Sequence, residues 1–281
     1  MGAVRIAAVT MVRDGEKYLK KWTAWYGGLL GKGNLYIFFD GTDQVPPSCT
    51  EGCHVQVVPR VEGSVAQGDR RRIRLLSDFA SGLLDEYDFV IGTDVDEFLA
   101  PDPSCGLNLP EYLSALDTRG CKCFSALGVD VIQNTSCETA LNWDKPFMEQ
   151  RSFGLLSTRY TKASILCSKA RWGSGFHRVK GCNFHILKDL YLFHFGCVDA
   201  SDLDLRLADQ DLAARGWGRH LGKRQRLFAM VPGLPIRSWE VWTPRARKIQ
   251  SNCRPPYAWN KPAMLGLRIL VRIPERFSGL L

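Results

Sequence analysis

Three short runs of almost wholly apolar residues, Val4 to Thr10, Leu35 to Phe39 and Phe89 to Ile91, each stop abruptly in polar or acidic residues. Such runs are too short for core helices and lack the alternation of a half-exposed strand, so they read as strands buried on both faces of a parallel sheet. Between the first two, Tyr18, Leu19, Trp22, Trp25, Tyr26 and Leu29 recur at three- and four-residue steps. That stripe predicts a helix over Glu16 to Leu30, stopped by Gly31 and Gly33. Val55 to Val58 reads as a third strand, and Ile73, Leu76, Phe79, Ala80, Leu83 and Leu84 mark a second helix. The β-α-β order with short loops predicts an α/β fold, an open sheet of mostly parallel strands flanked by helices. In such sheets ligands lie beyond the carboxyl ends of the strands, so Thr10 to Asp14, Asp40 to Asp43 and Asp94 to Glu97 should gather along one rim.

Past Pro101 the pattern loosens into a short helix near Leu109 to Leu116 and strand-like Phe124 to Ile132 and Leu190 to Phe195. The charge is uneven. From Arg215 onward stand 14 Lys and Arg against only Glu240 and Glu275, a net +12, which leaves the first 214 residues at −4 within a total of +8. This predicts a catalytic body over 1–214 and a basic extension over 215–281 that faces an acceptor or a membrane. Within it, Met264 to Ile273 carries Arg268 and Arg272 four residues apart, the spacing of an interfacial helix on an anionic bilayer and equally of a packing helix. No run is apolar for the ~18 residues of a membrane span. Ten scattered cysteines and an N-terminus without the layout of a secretory signal set the expectation of free thiols in a cytoplasmic protein, peripheral at most at the inner face of the membrane. Cys49, Cys53, His54, Cys121 and Cys123 lack the paired spacing of a zinc ribbon or finger.

The sharpest motif is Asp94-Val95-Asp96-Glu97, directly after an apolar strand. Carboxylates two apart at a strand end can both face a hard divalent cation, and such a cation bridges naturally to a diphosphate. Neither a Gly-x-Gly-x-x-Gly after the first strand nor a Gly-x4-Gly-Lys-Ser/Thr occurs, which removes most support for dinucleotide binding and P-loop phosphoryl transfer.

Val9-Thr10-Met11-Val12-Arg13-Asp14-Gly15-Glu16, Phe39-Asp40-Gly41-Thr42-Asp43 and Asp94-Val95-Asp96-Glu97-Phe98-Leu99 together resemble family-2-type glycosyltransferases with the GT-A fold, in the branch whose metal motif reads Asp-x-Asp-Glu-Phe. The resemblance continues through Gln150-Arg151, Lys162, Gly175-Phe176-His177 and Leu190 to His194, and so covers roughly residues 4–200. It implies an inverting, metal-dependent transferase that takes a sugar from a nucleotide-diphosphate donor, UDP- or GDP-linked, to a glycan or lipid-linked acceptor in surface polysaccharide synthesis. Thr10, Arg13 and Asp40 would then bind the donor nucleotide, and Asp94 with Asp96 would hold Mn²⁺ or Mg²⁺ on the diphosphate. Arg70, Arg71 and Arg72 could add positive charge there, with Arg71 taken as the donor-binding side chain. His177 or His194 would complete the metal shell.

Inversion needs a base for the acceptor hydroxyl. Asp130, Glu138, Asp144, Glu149 and Asp199 are all candidates, with Glu138 favoured and Asp199 next. Trp143, Trp172, Trp217, Trp239, Trp242 and Trp259 fall in the second half and suit sugar rings as well as they suit a core. Two other readings stand beside the transferase: a nucleotidyltransferase making the activated sugar, and a non-enzymatic basic binding protein on the same frame. The negative body and its strand-end acids argue against nucleic acid as a partner.

Overall fold

The first strand, β1 (Ile6–Val12), is buried at every position, and the pleat divides it between two cores. Ile6, Ala8 and Val12 enter one, while Ala7, Val9 and Met11 enter the other. A strand apolar on both sides has to lie inside a sheet covered on both faces. Helix α1 (Glu16–Leu30) covers the first face with Leu19, Trp22 and Tyr26, and α2 (Val65–Leu83) covers the second with Ile73, Leu76 and Ala80. Full burial of a leucine or isoleucine side chain among these contributes roughly 1.5–3 kcal/mol before the entropy of ordering it is subtracted. Residues 4–60, 64–203 and 218–281 are described in this computed structural model.

Strands β2 (Leu35–Asp40), β3 (His54–Val58) and β4 (Phe89–Gly92) complete a parallel unit in the order β3-β2-β1-β4. The chain steps outward from β1 to β3 and then crosses to the other side of β1, so β1 and β4 flank a topological switch point. The rest of the chain extends the sheet with mixed pairing. It comprises β5 (Glu97–Pro101), α3 (Leu109–Ser114), β6 (Cys123–Ile132), α4 (Phe147–Gln150), β7 (Phe153–Leu156), β8 (Ile165–Leu166), β9 (Ile186–Cys197), α5 (Gly218–Met230), β10 (Ile236–Ser238), α6 (Trp239–Asn252) and β11 (Ile269–Arg272). From β4 the order runs β8-β6-β7-β11-β10, while β9 pairs parallel with β6 and antiparallel with β5.

The helix expected over 264–273 does not form. Leu265 and Gly266 turn at φ 52° and 78°, and Ile269–Arg272 becomes a strand antiparallel to β7 and parallel to β10. Pairing and burial override the helical spacing of the two arginines, because Ile269, Val271, Ile273 and Phe277 all enter the main core. Residues 218–281 thus supply strands to the sheet and a clamp on it, Arg276 donating to Asp102 at 2.7 and 2.8 Å. The expected boundary at 214/215 and Trp217 lie outside the described residues. No helix among the described residues is long and apolar enough to cross a membrane.

One glycine sets the position of the segment that carries Lys162. Ser157 N donates to Gly128 O at 2.9 Å and Gly128 N to Thr161 Oγ1 at 2.9 Å, so the 157–161 turn lies directly on β6. A methyl at Gly128 would run into the backbone of Tyr160 and Thr161. Gly128→Ala is expected to cost roughly 1–3 kcal/mol by overpacking; an unchanged urea midpoint would count against this close approach.

Candidate functional site

The switch point places the ends of β1 and β4 side by side, and three acidic residues follow β4. Asp94 receives Arg72 on Oδ1 and Lys162 Nζ on Oδ2 at 2.8 Å. Lys162 also lies 2.5 Å from Glu97 Oε1, and Glu97 Oε2 accepts from Asp94 N at 3.2 Å. Asp96 Oδ2 is 3.3 Å from His194 Nε2, while His194 Nδ1 meets Asp130 Oδ1 at 2.6 Å. The sheet register explains this convergence, since His194 of β9 stands opposite Glu97 on β5 and Asp130 on β6. Tyr160 stacks on the imidazole with ring centroids 3.7 Å apart.

Asp94, Asp96 and Glu97 each offer an oxygen within 4.8 Å of the others, a group that could hold a divalent metal. All-carboxylate donors suit a hard cation such as Mg²⁺ or Mn²⁺. Glu97 was not among the ligands expected from the sequence, although it stands in the same motif. Among the described residues neither histidine belongs to this group.

The electrostatics follow from burial and pairing. Burial works against the charge of Asp94, but Arg72 and then Lys162 outweigh it and hold its carboxyl far below the ordinary range. Glu97, 1% exposed, is raised by burial against the pull of Lys162. Burial also opposes the His194 imidazolium, yet Asp96 and Asp130 outweigh it and raise it to about 9. His177 is pushed down to about 3 by burial, with Lys162 and Lys261 adding repulsion. At neutral pH His194 is therefore a charged donor held between two carboxylates, whereas His177 is neutral.

A raised histidine contributes stability that is fully present below its unfolded value of about 6.5 and lost as pH rises through about 9. In the metal-free protein His194→Gln should remove a component on the order of 2–3 kcal/mol from the loss of stability between pH 7 and 10. An identical pH profile for the variant would contradict the arrangement.

The other expected site residues are distributed as follows. Thr10 is fully buried, and its Oγ1 has no hydrogen-bond partner among the described residues. Arg13 joins the ends of β1 and β2: Nη1 donates to Asp40 O at 2.7 Å, and Nη1 and Nη2 grip Asp43 at 2.9 and 2.6 Å. Gly41, at φ 130°, lies beneath that pair, and any Cβ there would strike Arg13 and Asp43. Arg71 is exposed; Arg72 reaches Asp94 instead, because successive helical residues turn about 100° and only one of three neighbouring arginines can face the sheet.

Neither favoured base candidate contacts the carboxylate group through a hydrogen bond or ion pair. Glu138 accepts from Asn134 N and Ser152 N, each at 2.8 Å, and Asp199 accepts from Leu141 N at 2.8 Å and Ser201 N at 2.9 Å. Both tie loops together. Asp130 alone of the candidates is linked to the group, through His194. Asp144 lies at the surface, 3.4 Å from Lys20. Trp172 and Trp239 are core residues, and Trp259 is 59% exposed.

No protein-family model matches the chain, and no curated protein matches it. Solved structures similar to parts of it include a glycosyltransferase involved in the glycosylation of the major capsid of PBCV-1, at 12% identity over 44% of this chain and 51% of that one, with a TM-score of 0.25. Mannose-1-phosphate geranyltransferase from Thermus thermophilus is similar at 12% identity over 98% of this chain and 77% of that one, TM-score 0.30. S. aureus TarS is similar at 9% identity over 80% of this chain and 43% of that one, TM-score 0.34. The chain thus spans about half of the PBCV-1 enzyme and less than half of TarS. At these scores the similarities carry no weight for substrate or mechanism.

Proposed function

We propose that this chain is a metal-dependent glycosyltransferase that moves a sugar from a nucleotide-diphosphate donor to a hydroxyl of a glycan or lipid-linked acceptor, with inversion. The observation that carries the reading is the meeting of Asp94, Asp96 and Glu97 at the switch point of the sheet, with Arg72 and Lys162 in the same cluster. Mn²⁺ or Mg²⁺ held by these carboxylates would supply positive charge for the leaving diphosphate. Arg72 and Lys162 add fixed cations in the same cluster, and around the buried Lys162 charge interactions are strengthened. In this reading Arg13 and Asp40, at the ends of β1 and β2, would meet the nucleotide, while Thr10 is fully buried in β1 with a hydroxyl that lacks a partner among the described residues. Asp130 fixes the His194 ring through Nδ1 and so orients Nε2 toward Asp96. Of the proposed bases, Glu138 and Asp199 have both carboxylate oxygens engaged by backbone N–H groups, which weakens them as proton acceptors, and Asp130 holds His194 through Oδ1.

Thermal shift against UDP, GDP, CDP, dTDP and ATP, each with and without Mn²⁺, tests the donor class. A ligand at 100 times its Kd stabilises by about 2.7 kcal/mol, which is roughly 4–6 °C for a chain of this size. A metal-dependent rise with one diphosphate is the expected result. A preference for triphosphates would favour nucleotidyl transfer, and no shift with any nucleotide would remove the donor site.

A further inference from the structure

The segment between α6 and β11 is a loop closed by internal hydrogen bonds, with exposed apolar side chains. Ala263 N donates to Cys253 O at 3.0 Å and closes its base, and Arg254 Nε donates to Trp259 O at 2.7 Å while its guanidinium lies 4.3 Å from the Phe184 ring centroid. Ala258 and Asn260 are buried, but their neighbours Tyr257 and Trp259 are 80% and 59% exposed. The turn that follows exposes Leu265 and Leu267 at 74% and 45%. Four large apolar side chains exposed within eleven residues of chain make this loop a candidate docking surface.

Charge complementarity decides which partner. Between Glu240 and Glu275 stand seven Lys and Arg and no acid at all. Tyr and Trp prefer the headgroup level of a bilayer, Leu the acyl chains below it, and Lys and Arg the anionic surface. Sugar rings would use the aromatic faces but would leave two leucines unexplained.

We infer that the loop 253–268 docks this chain on an anionic lipid surface, with Trp259, Tyr257, Leu265 and Leu267 entering the interface and the loop's own half-buried Lys261 and exposed Arg268 meeting the headgroups. The loop is fastened to one wall of the carboxylate site. Asn260 Nδ2 donates to Val179 O at 3.0 Å, and the neighbouring Phe176 ring lies 5.5 Å from the Arg72 guanidinium and 5.8 Å from Lys162 Nζ. Docking therefore holds that wall close to the bilayer, a placement that does not depend on the transferase reading.

Co-sedimentation of the full chain with phosphatidylcholine vesicles, with and without phosphatidylglycerol, tests the proposal. Salt-sensitive binding to the anionic vesicles is expected, roughly tenfold weaker or more in Trp259→Ser/Leu265→Ser. Both positions are exposed, so the variant should melt with the wild type; should it not, quenching of tryptophan fluorescence by brominated lipid, present in the wild type and reduced in Trp259→Phe, gives the same answer. No sedimentation, equal binding to neutral vesicles, or quenching unaffected by Trp259→Phe would overturn the proposal. So would protection of Trp259 by a soluble oligosaccharide without vesicle binding, which would assign the loop to a glycan.

Discussion

Lys162→Met is expected to lower the stability of the folded chain by about 3–5 kcal/mol, the usual cost of leaving one half of a buried ion pair behind. The ammonium is 3% exposed and is shared between Asp94 and Glu97 at 2.8 and 2.5 Å. Burial alone would depress its pKa, but Asp94 and then Glu97 outweigh it and raise it well above the ordinary lysine value. Without the cation, Asp94 keeps Arg72, whereas Glu97 at 1% exposure loses its charged partner and must take up a proton or draw in water. For a total stability of about 5–15 kcal/mol this is a large share. Urea denaturation should show it as a shift in midpoint with little change in slope. Lys162→Met/Glu97→Leu removes the abandoned carboxylate and should recover much of the loss, so the double-mutant cycle should return a coupling of about 1–3 kcal/mol. A single variant as stable as the wild type would mean that Lys162 is not buried between these acids.

The contrast between Lys162 and Arg71 shows how far the sequence could be read. The parallel strands were legible because a strand buried on both faces has no polar positions to blur it, as β1 demonstrates at seven consecutive sites. The acidic motif was legible because its members are adjacent in the chain and the strand before it fixes where they project. Which of Arg70, Arg71 and Arg72 faces the sheet depends on the phase of α2, set where the chain enters the helix at Ser64, whose backbone N donates to Gln67 Oε1 at 3.0 Å. The link from Asp96 through His194 to Asp130 depends on β9 pairing with both β5 and β6, a long-range register that no local pattern encodes. Met264 to Ile273 misled for the converse reason. Its arginine spacing is helical, but sheet pairing and the burial of Ile269, Leu270 and Val271 on both faces decide its conformation, a regular case of tertiary context overriding local preference.

Asp96→Asn should reduce divalent-dependent turnover of a nucleotide-sugar donor by at least roughly a thousandfold while leaving the fold nearly intact. The asymmetry rests on how the three carboxylates are held. Asp94 and Glu97 are bound to Arg72 and Lys162, so neutralising either leaves buried cations or a broken pair, and lost activity would be confounded with lost structure. Asp96 meets His194, and when its charge is removed His194 keeps Asp130 at 2.6 Å. Its side chain is 21% exposed, so solvent softens the change further, and a stability cost of about 1 kcal/mol is expected for one weakened hydrogen bond. The chemistry has no such reserve. A carboxylate that places a cation on a leaving diphosphate contributes transition-state stabilisation of about 4 kcal/mol, comparable to the largest single electrostatic donors in enzymes, and an amide oxygen in the same position carries no net charge to replace it. Three measurements separate the readings: release of nucleoside diphosphate with Mn²⁺, direct titration of Mn²⁺ into the protein, and the thermal melt. Loss of the first two with the third preserved assigns Asp96 to the metal. Full turnover with tight Mn²⁺ binding would place the cation elsewhere, and loss of all three would make Asp96 a residue of the fold, acting through the charge it gives to His194.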